Sequence, residues 1–185
     1  NIKRKTEKDD KERFQTIYAK KLGAVAAPAA GLHFTKIVLK KLELIGVKIV
    51  TITTHISLGT FKDVDVEDLT KHKMDSENFY ISEETSEVVN SAMKQGKKIV
   101  AVGTSTMKTL ETSVSTSGKL KANQGWTDKF IFPPFKFQIC SGMITNFHSP
   151  KSTLLMMAAA YGGFDNIMKA YKIAIQKKYR FHSYG

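Results

Sequence analysis

Apolar and polar positions change their spacing several times along the chain, and each change predicts an element. From Thr35 onward, Val38, Leu39, Leu42 and Ile45 fall on one helical face with lysines opposite, which predicts a helix capped by Thr35 and stopped at Gly46. Residues 47–56 are β-branched, threonine-rich and partly alternating, the pattern of a strand. A second helix is expected over residues 83–93, entered through Ser82, with Glu83 and Glu84 where carboxylates suit the helix dipole. After Gly96 the short apolar run 98–103 reads as a buried strand. Residues 113–127, rich in Ser, Thr, Gly, Lys and Asn, predict a loop, and the aromatic segment 129–137 a strand with an edge or bulge at Pro133-Pro134. Beyond Pro150 come an apolar helix, 153–160, the pair Gly162-Gly163, and an amphipathic helix with Ile167, Ala170, Tyr171, Ala174 and Ile175 on one face. Helix and strand alternate, so the expected class is α/β, with a mostly parallel sheet flanked by helices.

Residues 1–11 are nearly all charged or polar and are expected to form a polar lead-in, leaving residues 12–185 as the α/β domain. A content of 42% hydrophobic and 10% aromatic residues supplies a core and excludes general disorder. No stretch approaches the roughly 20 apolar residues of a membrane span, so no membrane partner is expected. The opening Asn1-Ile2-Lys3-Arg4-Lys5 has no apolar region behind it, unlike a signal peptide, and the chain reads as a fragment. The single cysteine, Cys140, fits a reducing cytoplasm. Lys+Arg number 29 against 17 Asp+Glu, and the resulting charge of +12 favours a polyanionic partner. Arginine occurs only as Arg4, Arg13 and Arg180, however, and lysine-rich genome composition accounts for the same charge. The five histidines are scattered, with no His-x-x-x-His pair, so no metal is expected. Phosphate-binding P-loops and Gly-x-Gly-x-x-Gly turns are absent, which disfavours an ordinary methyltransferase.

Polar clusters at the expected strand ends are the candidate chemistry, because open α/β sheets bind ligands there. In Val102-Gly103-Thr104-Ser105-Thr106 a strand runs into a glycine and three hydroxyls, with Lys108 and Glu111 on the following turns. Amides and hydroxyls there suit a carboxylate or phosphate; spacing alone favours Thr104 or Ser105 as an N-cap. His55 precedes Ser57-Leu58-Gly59-Thr60-Phe61 in a similar arrangement, and Asn146 and His148 precede the 153–160 helix. Near the C-terminus, Tyr179-Arg180-Phe181 interleaves an arginine with aromatics, which suits stacking on a base or closing the core.

Taken together, these clusters resemble one family. The run from Ala26-Ala27-Pro28 through His33-Phe34-Thr35, His55-Ile56-Ser57-Leu58-Gly59-Thr60-Phe61, Ala101-Val102-Gly103-Thr104, Thr109-Leu110-Glu111, Gly125-Trp126-Thr127-Asp128, Ile144-Thr145-Asn146-Phe147-His148, Pro150-Lys151-Ser152-Thr153-Leu154-Leu155-Met156 and Tyr179-Arg180-Phe181 with Ser183-Tyr184-Gly185 follow one another as in the S-adenosylmethionine:tRNA ribosyltransferase-isomerases of queuosine biosynthesis. The resemblance spans nearly the whole chain. It departs from the family where His72-Lys73-Met74-Asp75-Ser76-Glu77 has aspartate for a second histidine, where Lys108 replaces an arginine, and where Pro134, Asp63 and Ser57 replace a glycine, a proline and a glycine.

This resemblance implies an α/β domain into which a smaller β-barrel domain is inserted in the complete enzyme, the barrel being absent from this C-terminal portion. It implies transfer and isomerisation of the ribosyl part of S-adenosylmethionine onto 7-aminomethyl-7-deazaguanine at the tRNA wobble position, giving epoxyqueuosine, adenine and methionine. The partners expected are that tRNA and S-adenosylmethionine as co-substrate, with no prosthetic group, in a cytoplasmic monomer. A non-catalytic basic RNA-binding module is the alternative. The substrate contacts expected are Gly59, Thr60, Phe61, Gly103, Thr104, Ser105, Lys108, Asn146 and Phe147. Expected at tRNA phosphates are Lys97, Lys98, Lys151, Lys177, Lys178 and Arg180. The step next to the sulfonium needs a base titrating near neutrality, for which His55 and His148 come first and His33 third, with Asp128 or Glu111 as carboxylate partner.

Overall fold

Capping side chains and left-handed glycines set most element boundaries in the computed structural model, which describes residues 4–181, the side chains of Lys11 and Phe61 excepted. The expected contribution of Ser183-Tyr184-Gly185 lies outside the described residues. Across the expected boundary between the polar lead-in and the α/β domain, α1 (Asp10–Arg13) forms a single turn. The buried Asp10 carboxylate accepts Arg4 Nη1 at 3.0 Å, Arg4 Nη2 at 2.7 Å and the Glu7 amide at 2.8 Å. Helix α2 (Lys36–Leu44) begins where the Thr35 hydroxyl accepts the Val38 N–H at 3.2 Å and ends before Gly46, at φ +85°.

Only Thr53–His55 of the expected 47–56 strand joins a ladder, as β1. It pairs antiparallel with β2 (Glu77–Ile81), Thr53 opposite Tyr80. The ladder stops because the next residue after β2 is Ser82, which caps α3 (Glu83–Lys94), and the Thr85 hydroxyl takes the Thr51 carbonyl at 2.9 Å instead. Val47, Ile49 and Val50 are left exposed. Next come β3 (Val100–Val102), α4 (Thr104–Thr112), β4 (Asn123–Thr127), β5 (Gly142–Ile144), α5 (Thr153–Gly162) and α6 (Phe164–Gln176).

The class is α/β as expected, but the sheets are small and mixed. β2 is the centre of an antiparallel sheet ordered β1-β2-β4, and β3 pairs in parallel with β5. The expectation of a mostly parallel sheet is therefore corrected. Its physical reason is the link between β1 and β2, which carries only short 3-10 turns at Leu58–Phe61 and Leu69–Lys71, so the chain returns antiparallel without a crossover helix. Residues 123–127, expected to be a loop, form β4 because β2 supplies a partner for every residue of it. The aromatic segment 129–137 forms no strand. Its rings pack edge to face instead, Phe135 on Phe137 at 4.8 Å and Phe137 on Tyr161 at 5.1 Å, and its two prolines have no N–H for a ladder.

The core gathers Phe79 and Ile81 of β2, Val89 of α3, Ala101 of β3, Met107 and Leu110 of α4, Ile131, Ile139 and Met157 of α5. Against it α6 buries less than its pattern predicts: it packs mainly on α5, with Tyr171 also meeting Phe147 of the segment after β5, and leaves Ile175 at 76% exposure. Among the described residues no helix is long and apolar enough to cross a membrane.

Glu111 closes this core from the loop side. Fully buried on α4, its carboxylate accepts the amides of Gln138 at 2.9 Å and of Ile139 and Cys140 at 3.0 Å, three donors that no strand satisfies. Burial, reinforced by Glu111, pushes the Cys140 thiol up to about 12, so it is an inert apolar side chain at neutral pH. Glu111→Gln turns one acceptor into a donor facing an amide and is expected to cost on the order of 2–3 kcal/mol, read as a lowered urea midpoint at unchanged m-value. A midpoint within error of the parent would show that the three bonds do not hold the loop.

Candidate active site

Because β3 and β5 run parallel, their C-terminal ends open on the same side, where the Gly103 amide donates to the Ile144 carbonyl at 2.8 Å. Gly103, at φ +95°, makes the turn from β3 into α4, a conformation that strains any residue with a Cβ. It is also the cap of α4, and no side chain caps that end. The reading of Thr104 or Ser105 as N-cap is thereby corrected: Thr104 is already helical. Thr106 turns back to bond the Val102 carbonyl at 2.9 Å.

Behind this turn lies a buried ion pair. Strand β2 alternates, and Glu77 shares its buried face with Phe79 and Ile81, so its carboxylate points into the core. There it pairs with the Lys108 ammonium of α4, accepts the Thr60 hydroxyl, and receives the Ser57 amide at 3.3 Å. Lys108, expected to hold substrate as a point charge, has its side chain only 4% exposed and directed at Glu77. Beside the pair is a cavity of about 10 Å³ lined by Thr60, Thr104, Ser105, Lys108 and Thr153, room for a single water. The Thr153 hydroxyl is buried there without a partner among the described residues. Gly59 is buried against the Asp75 carboxylate, which pairs with Lys62 at 2.9 Å. The Phe61 side chain lies outside the described residues.

A second, larger space of about 330 Å³ opens beside the segment after β5 and is lined by Thr145, Asn146, Phe147, Ile167, Tyr171 and Arg180. Phe147 meets Tyr171 edge to face at 5.1 Å. Asn146 Nδ2 lies 3.0 Å from Nε2 of His33, a residue 113 positions earlier. His148 is held on two sides, its amide donating to the Tyr171 hydroxyl at 2.7 Å and its Nε2 2.8 Å from Thr145 Oγ1. Burial lowers the His148 pKa from 6.5 to about 4 and raises that of Tyr171.

The expected site residues thus fall into two groups. Thr60, Thr104, Ser105 and Lys108 surround the small cavity, while Asn146, Phe147, His33, His148 and Arg180 gather at the cleft. His55 ends β1 on the antiparallel sheet with its Nδ1 buried and without a partner among the described residues, so close to Gly23 that no Cβ fits there. Glu111 points away into the 138–140 loop, and Asp128 is exposed beyond β4. Lys97 and Lys98 precede β3, at the end opposite Gly103; Lys151 is exposed just before α5, and Lys177 and Lys178 follow α6. Sequence reading missed Glu77 and Tyr171 as site residues. Glu77 had a signal, as the last position of the divergent 72–77 run; Tyr171 was assigned only to a helix face. Among the described residues no group of three or more His, Cys, Asp and Glu side chains stands ready to hold a metal.

A family model described as "Queuosine biosynthesis protein" matches residues 1–185. Curated relatives named S-adenosylmethionine:tRNA ribosyltransferase-isomerase include one from Cytophaga hutchinsonii, 58% identical over 184 residues, and one from Phocaeicola vulgatus, 54% identical. Each alignment covers 100% of this chain and 53% or 52% of the relative, so the chain spans about half the length of the relatives it matches. The crystal structure of S-adenosylmethionine tRNA ribosyltransferase from Thermotoga maritima superposes with a TM-score of 0.69 at 37% identity, covering 84% of this chain and 49% of that one.

Two outcomes follow from the site's electrostatics. Lys108→Met or Glu77→Gln alone strands a buried partner and is expected to cost about 3–5 kcal/mol. The double variant should cost clearly less than the sum of the two; additive losses in denaturant unfolding would refute the coupling. For His148, the unfolded chain binds a proton between about pH 4 and 6.5 while the folded chain does not. Stability is therefore complete above pH 6.5 and falls by about 3 kcal/mol as pH drops toward 4. His148→Gln should flatten that slope, and identical pH profiles for parent and variant would contradict the assignment.

Proposed function

Because this chain belongs to the queuosine biosynthesis protein family, we propose that it is part of an S-adenosylmethionine-dependent tRNA ribosyltransferase-isomerase. The observation that carries the reading is identity of 58% across the whole chain to a relative bearing that name. In this reading the co-substrate is S-adenosylmethionine and the acceptor is the aminomethyl group of 7-aminomethyl-7-deazaguanine in a tRNA anticodon. A base takes a proton from the carbon beside the sulfonium, and the pair left there expels the ring oxygen, whose pair becomes the carbonyl of an aldehyde as adenine leaves with the electrons of its glycosidic bond and takes up a proton. The amine adds to the resulting vinyl sulfonium and loses a proton, the carbanion this returns beside sulfur closes a five-membered ring onto the aldehyde carbon, and the alkoxide so formed closes the epoxide as methionine leaves with the C–S electron pair. The enzyme acts in the cytoplasm as a monomer.

The donor lies at the shared end of β3 and β5, between the Gly103 turn, the turn at Leu58–Phe61 and the Asn146-Phe147-His148 segment. Amides at the uncapped start of α4, with the Thr104 and Ser105 hydroxyls, supply donors for its carboxylate. Lys108 acts from behind, its charge spent on Glu77. The base is better assigned to His33 than to His148. A pKa near 4 leaves His148 neutral but a weak proton acceptor, whereas His33 is exposed and reaches Asn146 at the cleft. His148 then orients the segment through Thr145 and Tyr171. The exposed lysines at 97, 98, 151, 177 and 178 supply non-specific attraction to tRNA phosphates.

The test places this chain in the full length of the Cytophaga hutchinsonii relative, in exchange for the matching segment, and analyses products after incubation with S-adenosylmethionine and substrate tRNA. Adenine and methionine should appear in equal amounts, and His33→Ala should slow both by about 100-fold. S-adenosylhomocysteine would indicate a methyltransferase, and tRNA binding without either product a non-catalytic RNA-binding module.

A further inference from the structure

The cleft beside Asn146 has a chemistry that the small cavity at Lys108 lacks. At about 330 Å³ it is of a size that takes small molecules, against about 10 Å³ for the other. Its floor is apolar, from Ala158, Ile167 and Ala170, and its walls carry two aromatic rings, Phe147 and Tyr171, held at right angles to each other. Phe147 is braced from a second direction by Tyr179, 6.1 Å away. Arg180 lines the same space and is exposed, and its planar guanidinium stacks readily on flat π-systems.

Polar groups on the wall are few and mostly committed. Thr145 Oγ1 is engaged by His148, and the Tyr171 hydroxyl accepts the His148 amide. Asn146 is anchored through Nδ2 to His33, which leaves Oδ1 buried with no partner among the described residues. A buried acceptor without a donor costs free energy unless a ligand satisfies it. The missing group is a hydrogen-bond donor, and the aromatic walls favour one carried on a flat, largely apolar body. A phosphate or carboxylate fits poorly, since it brings no donor and finds a single arginine. An aliphatic ligand leaves Oδ1 unsatisfied.

We propose that this cleft is the seat of a purine ring, face-on to one of the perpendicular rings Phe147 and Tyr171 and edge-on to the other, beside the Arg180 guanidinium, with its exocyclic amino group donating to Asn146 Oδ1. An asparagine amide is well matched to such an edge. The identity of the ring's carrier rests on the function proposed above, under which it is either the adenine of S-adenosylmethionine or a purine of the bound tRNA. In either case Arg180 acts as a stacking group here, beyond the phosphate contact expected from its charge.

The experiment titrates adenosine, inosine, S-adenosylmethionine and tRNA separately into the intact chain and into its Asn146→Ala and Arg180→Ala variants, with folding checked by circular dichroism. Adenosine should bind the parent, inosine, which lacks the amino group, about 10-fold more weakly, and each variant should lose about 10-fold in adenosine affinity. S-adenosylmethionine affinity falling in parallel assigns the ring to the donor. Loss of tRNA affinity in both variants, with adenosine not bound, assigns it to the RNA. Affinities for all four probes that are unchanged in Asn146→Ala would overturn the proposal. The same holds if adenosine binds and inosine binds equally well. Product analysis in the exchanged full-length enzyme separates the two readings. Adenine and methionine released equally by parent and variants sink the purine seat alone, and adenosine binding that depends on Asn146 in an enzyme releasing neither product sinks the function alone.

Discussion

The ion pair between Glu77 and Lys108 joins the two sheets of this fold. Glu77 belongs to the central strand of the antiparallel sheet and Lys108 to the helix that leaves the parallel pair, and both are almost completely buried. Two charges withdrawn from water are tolerable only if each finds the other and the remaining lone pairs are used. Thr60 and the Ser57 amide use them, so the turn at Leu58–Phe61 is drawn into the same contact. Three segments that carry candidate chemistry thus converge because one carboxylate has to be satisfied. The position of the Gly103 turn relative to the antiparallel sheet follows from this, since Lys108 sits one helical turn beyond Thr104.

A second buried carboxylate does related work without a cation. Glu111 stands three residues after Lys108 on the same helix, hence on a neighbouring part of its surface, and binds three consecutive amides of the chain entering β5. The Lys129 ammonium adds a bond to the Glu111 carbonyl at 2.8 Å. One helix therefore fixes the antiparallel sheet through Lys108 and the approach to β5 through Glu111. This arrangement accounts for the alignment of the ends of β3 and β5 despite strands of only three residues each. So short a parallel pair contributes few ladder bonds of its own, and side chains from α4 supply the rest.

What was legible in the sequence was local. Thr35, Ser82 and Ser152 cap helices because a side-chain oxygen finds its own helix within three residues, and Gly46, Gly96 and Gly163 lie in left-handed turns at their ends. The clustering of His33, Asn146, Phe147 and His148 at one place was reachable only through family resemblance, since no spacing rule links residue 33 to residue 146. Strand direction and partnership were not legible. Residues 123–127 lack β-branched side chains except Thr127 and became a strand because β2 offered them a ladder, while the more β-prone segment 129–137 did not. The reading of Glu111 as a catalytic carboxylate shows the same limit. A glutamate inside a helix looks alike whether it faces a ligand or three amides, and its partners lie 27 to 29 residues away.

The charge of this chain divides into two populations that respond differently to solution conditions. Lysines at 97, 98, 151, 177 and 178 are exposed, and their attraction to a polyanion acts through water and salt, falling off over roughly 8–10 Å at ordinary ionic strength. Lys108, Glu77 and Glu111 are shielded from both, so salt that screens the surface lysines leaves the sheet-joining contacts intact. Arg180 stands between these populations, exposed to solvent yet lining a cleft with aromatic walls. The stacking proposed for it does not depend on long-range charge and would survive screening that removes the contribution of the lysines. Under the proposed function and the purine seat, affinity and specificity are thereby separated in space: a diffuse positive surface attracts, while a small set of aromatic and amide groups on α6 and after β5 selects what is held.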